Sequence, residues 1–176
     1  MAGNPDNASL WADADVYVGK AITATPPATA DDPMGAEWDL VGLLNGEDGF
    51  TETRDEEETD LFAWGGILVR TSRRNFKLTK SFTVLEDNAT TRALIWPGST
   101  DSRIVVPRPQ PVKLAFELRE GARVRRLITA KHAIVKVDGD ITENETDLAS
   151  VTLAATIFPA ADGTLFDRQF SDGVAP

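Results

Sequence analysis

Apolar and polar residues alternate along much of this chain. From Phe76 to Val84 the apolar side chains Phe76, Leu78, Phe82 and Val84 stand at even positions, with Lys77, Thr79, Ser81 and Thr83 between them. Leu114, Phe116 and Leu118 alternate with Lys113, Ala115 and Glu117, and Val151, Leu153, Ala155 and Ile157 with Ser150, Thr152, Ala154 and Thr156. A period of two marks strands with one buried face and one face left for solvent or a partner. Shorter strand-like stretches are Asp15–Ile22, Glu37–Leu44, Gly65–Ser72, Arg123–Asp138 and Leu165–Phe170. Asp162-Gly163, between two strands, and Asp138-Gly139 carry hairpin-turn chemistry. Gly65-Gly66 reads as a bulge or turn, and Pro107–Pro111 as an extended connector, since proline cannot serve a sheet interior. One helix is expected: Asp87 or Asn88 caps it, Ala89–Ile95 forms it and Pro97-Gly98 stops it. Two turns need packing to persist, which Leu94, Ile95 and Trp96 can supply. The class is antiparallel β with one helix. No repeat or second domain is visible.

Composition narrows the function. The 176 residues suit one domain, and 41% hydrophobic content suffices for a core. No apolar run approaches the ~20 residues that span a bilayer, and no secretion signal opens the sequence, so a soluble protein made in the cytoplasm is expected. The net charge of −10 argues against wrapping nucleic acid, whose phosphates require Lys and Arg. Cysteine is absent and His132 is the only histidine, which leaves nothing for a zinc cluster and one residue for any histidine-based triad. No phosphate-cradling glycine loop occurs. Asp138, Asp140, Glu143 and Glu145 fail the EF-hand pattern because Glu143 stands where that loop needs glycine, so they read as an acidic hairpin tip in water. Three glycosylation sequons, at Asn7, Asn88 and Asn144, follow no secretion signal and read as chance. The expectation is no enzyme, no cofactor and no metal.

Charge is segregated. Between Asn45 and Asp60 eight acids face Arg54 alone, a net −7. Between Arg103 and Lys131 eight bases face Glu117 and Glu120, a net +6. Such blocks are either two solvated faces or complementary patches that set register between copies.

The order of features resembles the major tail (tail tube) proteins of long-tailed phages, related in fold to the tube proteins of contractile tails and type VI secretion systems. The carrying pieces begin with a polar N-terminal arm and a first strand, Ala14-Asp15-Val16-Tyr17-Val18-Gly19. Trp38-Asp39-Leu40-Val41-Gly42-Leu43-Leu44 follows, then an acidic stretch. Next come Gly66-Ile67-Leu68-Val69-Arg70, Phe76–Leu85, and Glu86-Asp87-Asn88 opening the helix through Leu94-Ile95-Trp96. A strand-rich C-terminal half closes the match, which spans about Ala12–Phe170.

The resemblance implies a mainly β fold, an antiparallel β-sandwich or partial barrel with one short flanking helix at about 87–96. It implies an arm at 1–11, a core at 12–170 containing a long acidic loop at 45–64, and a tail at 171–176. Six copies would close a ring, and rings would stack into a virion tail tube that conducts DNA without binding it. Tape measure, tail terminator and tail tip proteins are the implied partners, with no membrane. The lumen wall is expected to be acidic. The segments 1–11, 45–60 and 170–176 are expected to order on assembly. In the family the long loop reaches the neighbouring ring, which makes Glu52, Glu56 and Glu58 expected partners of a subset of Arg119, Arg123, Arg125 and Arg126 across subunits. Two other readings stand beside this one. One is a type VI or contractile-particle tube protein. The other is a carbohydrate- or receptor-binding sandwich using Trp11, Trp38 or Trp64 as a sugar platform.

Overall fold

A computed structural model describes residues 8–171; most of the expected N-terminal arm and the tail after Ser171 lie outside them. The strands are β1 (Asp13–Gly19), β2 (Trp38–Leu40), β3 (Thr51–Ala63), β4 (Ile67–Val84), β5 (Pro111–Glu120), β6 (Arg123–Thr129), β7 (His132–Val137), β8 (Val151–Phe158) and β9 (Phe166–Ser171), with helix α1 (Ala89–Ile95) after β4. All strand pairs are antiparallel. The mainly β architecture with one short helix expected from the alternation is the architecture observed.

Hydrogen bonds join the nine strands into one sheet that does not close. Strand β5 is its corner. Its first residues, Pro111 and Val112, pair with β7, whereas Lys113–Arg119 pair with β1 and Ala115–Glu120 with β6. One half therefore runs β2-β1-β5-β6-β9 and the other β7-β8-β4-β3. The two halves face each other across the main core. Val16, Leu114 and Phe116 come from the first half, and Leu78, Phe82, Val84, Ala133, Val135, Leu153, Ala155 and Ile157 from the second. Phe116 is the centre of this layer, edge-on to Phe82, Phe50 and Phe166 at centroid separations of 5.8, 5.4 and 6.3 Å. Such aromatic pairs add about 0.5–1.5 kcal/mol each beyond their burial.

A second, smaller core covers the outer face of the first half. Trp38, Ala115 and Ile128 lie beneath the 20–37 connection, with Ala24 of that connection buried among them. Arg126 holds this cover down. Its guanidinium donates to Glu117, to the carbonyls of Thr29 and Asp32, and to Gln169. At 2% exposed it is as buried as the apolar core.

The helix forms where its signals stand. Asn88 accepts from the amides of Thr90 and Thr91, while the Thr91 hydroxyl accepts from the Asn88 amide, a reciprocal cap. Asn88 also donates to the Val41 carbonyl, which ties α1 to the segment after β2. Gly42 makes that approach possible: its φ is +107°, and a Cβ there would lie 2.4 Å from Glu86.

Four local expectations are corrected. The acidic segment is a loop only from 45 to 50; Thr51–Ala63 is strand β3. The two runs at 65–72 and 76–84 are one strand, β4. The Asp162-Gly163 turn joins strands that do not pair, since β8 lies between β7 and β4 while β9 pairs with β6. Asp138-Gly139 opens a connection running to 150 rather than a tight hairpin. Turn chemistry reports a local reversal and not which strands meet after it.

Candidate functional site

Strands β3 and β4 build an arm. Pairing of β4 with β8 ends at Leu78, yet the β3–β4 ladder continues to Ala63 and Ile67. At the usual strand rise that is a projection of about 35 Å. Beyond Lys77 and Arg54 the side chains on both faces are exposed, apart from a half-buried Ser72. A free-standing two-stranded ribbon has little intrinsic stability. This one is held by cross-strand chemistry.

The ladder sets Asp55 opposite Lys77, Glu57 opposite Arg74 and Glu58 opposite Arg73. Glu56 and Glu58 both approach the Arg73 guanidinium, at 4.0 and 3.9 Å. Asp60 accepts from Thr71, and Glu57 from Asn75. Asn75 adopts φ +57° beside the first register shift, a bulge that twists the ribbon. The consequence for charge is large. The block that reads as −7 in sequence lies against a basic strand, so residues 51–77 together carry six acids and five bases, a net −1.

The tip has a different character. Phe62 pairs with Leu68 and Ala63 with Ile67, around the turn at Trp64-Gly65-Gly66. Phe62, Ile67, Leu68 and Val69 are exposed, and Trp64 is 100% exposed. Isolated apolar residues on a surface are ordinary; a contiguous apolar end on a projecting ribbon marks an interaction site.

The residues singled out for contacts between subunits fall into different environments. Extended backbone places Glu52, Arg54, Glu56 and Glu58 on one face of β3, as alternation predicts. Glu52 turns into its own subunit, bonded to Arg54 at 2.7 Å and lying 3.5 Å from Lys80. Burial pushes its pKa up, but Arg54 and Lys80 outweigh this and hold it below the ordinary carboxylate value. Alternation also splits the basic block. Arg119 and Arg126 lie on the outer face of the first half, with Glu117 between them, whereas Arg125 points inward over Trp11 at 4.8 Å. Arg119 bonds Asp13, Asp15 and Glu117; burial opposes its charge, but the Asp13 and Asp15 bonds raise its pKa on balance. The same contact lowers that of Asp13. Arg123 lies 3.9 Å from Glu120 at the β5–β6 turn. Arg126 is fully engaged inside the fold.

The other candidates lie apart from one another. His132 stacks on Phe158 across the β7–β8 ladder at 4.8 Å. Trp38 is buried with its indole donating to the Thr25 carbonyl and Trp11 lies under Arg125, whereas Trp64 stands exposed at the arm tip. Among the described residues no group of three or more His, Asp or Glu side chains is arranged to hold a metal, and no helix is long and apolar enough to cross a membrane. What sequence reading missed is the arm tip and Lys80. Phe62, Trp64, Ile67 and Leu68 were legible as an apolar cluster around Gly65-Gly66, a signal masked by treating the segment as loop. Lys80 stands at an even, inward position of an otherwise apolar run.

No protein-family model matches this chain, and no curated protein sequence matches it.

Proposed function

We propose that this chain is the self-assembling structural subunit of a phage tail tube, delivering DNA through a hollow stack of rings. The observation that carries the reading is the β3–β4 arm, a long ribbon with both faces exposed and an apolar end. An exposed Trp and Phe at the end of a ribbon cost solubility in the isolated subunit, and docking on another copy removes that cost. A contact between unlike surfaces of identical subunits does not satisfy itself, so it repeats along an axis and builds a filament. The negative charge suits a tube whose wall repels DNA, an effect felt within about 8 Å at physiological salt.

Two kinds of contact contribute. Glu56 and Glu58 on the arm, with Arg123 of a neighbouring copy, would set register; Arg119 and Arg126 are already committed within their own subunit and Arg125 points inward. Exposed ion pairs are worth only ~0.2–1 kcal/mol each. A buried Trp or Phe anchor is worth about 2 kcal/mol or more. The tip therefore dominates affinity and the charges tune approach.

Sedimentation tests this. Wild-type protein should form large species in a concentration-dependent way. Phe62→Ala with Trp64→Ala should remain a folded monomer at concentrations at least tenfold higher. Normal polymerisation of that variant removes the arm from the assembly.

A further inference from the structure

Cations converge at the end of the sandwich where the arm meets the core. Lys80 enters from β4 and is 6% exposed, its ammonium 5.3 Å from the Phe116 ring centroid and 5.7 Å from that of Phe50. Arg125 enters from β6 on the opposite half, on the inward face shared with Leu127. Its ladder partner is Phe170, and Arg168 lies over the Phe170 ring at 5.5 Å. Arg54 is at the rim. Glu52 is the acid whose charge acts on both Lys80 and Arg125, and it already serves Arg54 and Lys80; Glu120, beside Arg123, also keeps a carboxylate oxygen buried without a hydrogen-bond partner. Four cations against Glu52 leave a local charge of +3 in a protein whose net charge is −10.

Burial makes this excess expensive. It lowers the pKa of Lys80, and the charges of Arg125 and Arg54 lower it further despite Glu52; burial and Arg168 do the same to Arg125. The Nε of Arg125 is buried without a hydrogen-bond partner. A guanidinium Nε–H is a strong donor, and leaving one unmatched is unfavourable. The aromatic surfaces fix the direction of both side chains: Trp11 covers one face of Arg125 and the Phe rings flank Lys80. The two cations are thereby held in place rather than sweeping through solvent, and the Arg125 Nε–H is the donor left unmatched.

The geometry points to an oxyanion-binding site at this end of the sandwich, in which Lys80, Arg125 and Arg168 take a carboxylate or phosphate group. In it the buried Lys80 ammonium and the unpartnered, buried Arg125 Nε–H would meet the anion, and the exposed Arg168 would meet it from the solvent side. A planar or tetrahedral oxyanion matches the fork of a guanidinium, which halide does not. Repulsion among the cations would become attraction to the shared anion. The proposal does not depend on tube assembly.

The test uses the full-length assembly-deficient variant Phe62→Ala/Trp64→Ala, so that anion binding and polymerisation are read separately. Inorganic phosphate and acetate, each compared with chloride at matched ionic strength, are added to the folded monomer. Saturating phosphate should raise Tm by roughly 3–6 °C and shift the Arg125 Nε–H resonance. Adding Arg125→Gln and Arg168→Gln should cut the Tm rise at least fivefold. Acetate matching phosphate would assign carboxylate as a ligand; phosphate alone would assign a phosphoryl group. Equal Tm in phosphate and chloride, or an unmoved Arg125 resonance, would overturn the proposal.

Discussion

Single residues carry this fold where charge is buried, and Arg126 is the clearest case. Its removal leaves Glu117 as a buried carboxylate with only Arg119 beside it, and frees the 20–37 cover. Arg126→Ala should cost about 3–5 kcal/mol in urea unfolding, as breaking a buried pair does. Lys80 has the opposite sign. Its folded pKa is depressed, so the native state releases a proton before the unfolded chain does, and stability rises with pH from the depressed value toward ~10.4. Lys80→Met should flatten that rise and stabilise the subunit at neutral pH by about 1 kcal/mol in urea unfolding. Asp13 and Glu52 contribute to the acid limb. Both folded values are depressed, so their contribution is complete above the unfolded carboxylate range near pH 4 and is lost as pH falls through the folded values. Thermal melts from pH 6 to pH 2 should show it, with Asp13→Asn shallower than wild type.

At the scale of elements, alternation read the core correctly because period two is the geometry of a buried strand face. Leu78, Phe82 and Val84, Leu114 and Phe116, and Leu153, Ala155 and Ile157 all point into the layer between the halves. The helix was legible because its cap, body and stop lie within ten residues and act locally; Asn88→Ala should cost about 1–2 kcal/mol and loosen the Val41 contact. The arm was not legible. Thr51–Asp60 has no apolar alternation because neither face is buried, and a run of acids reads as loop. Only the antiparallel partner makes sense of it, since Lys77, Arg74 and Arg73 stand opposite the acids. That pairing is long-range information which no local window contains. Within 45–60, expected to order on assembly, Thr51–Asp60 is ladder-bonded to β4, and hydrogen exchange of the free subunit reads how well that ladder holds there. Because the arm touches no core, Trp64→Ala should change monomer stability by no more than about 0.5 kcal/mol.

At the scale of the molecule, the architecture divides labour. A two-layer core supplies stability, while the ribbon offers a surface that no other described residue covers. Glu56→Lys with Glu58→Lys should slow growth about tenfold at low salt and lose most of that effect in high salt, because charge acts on encounter and register. Those lysines would also face Arg73, so a fold check by far-UV circular dichroism accompanies the light-scattering trace. The most direct measurement is negative-stain electron microscopy of purified wild-type protein, concentrated at physiological salt, beside Phe62→Ala/Trp64→Ala. The account predicts rings and hollow tubes from the wild type and dispersed single subunits from the variant. Dispersed single subunits from both, at every concentration tried, would contradict it.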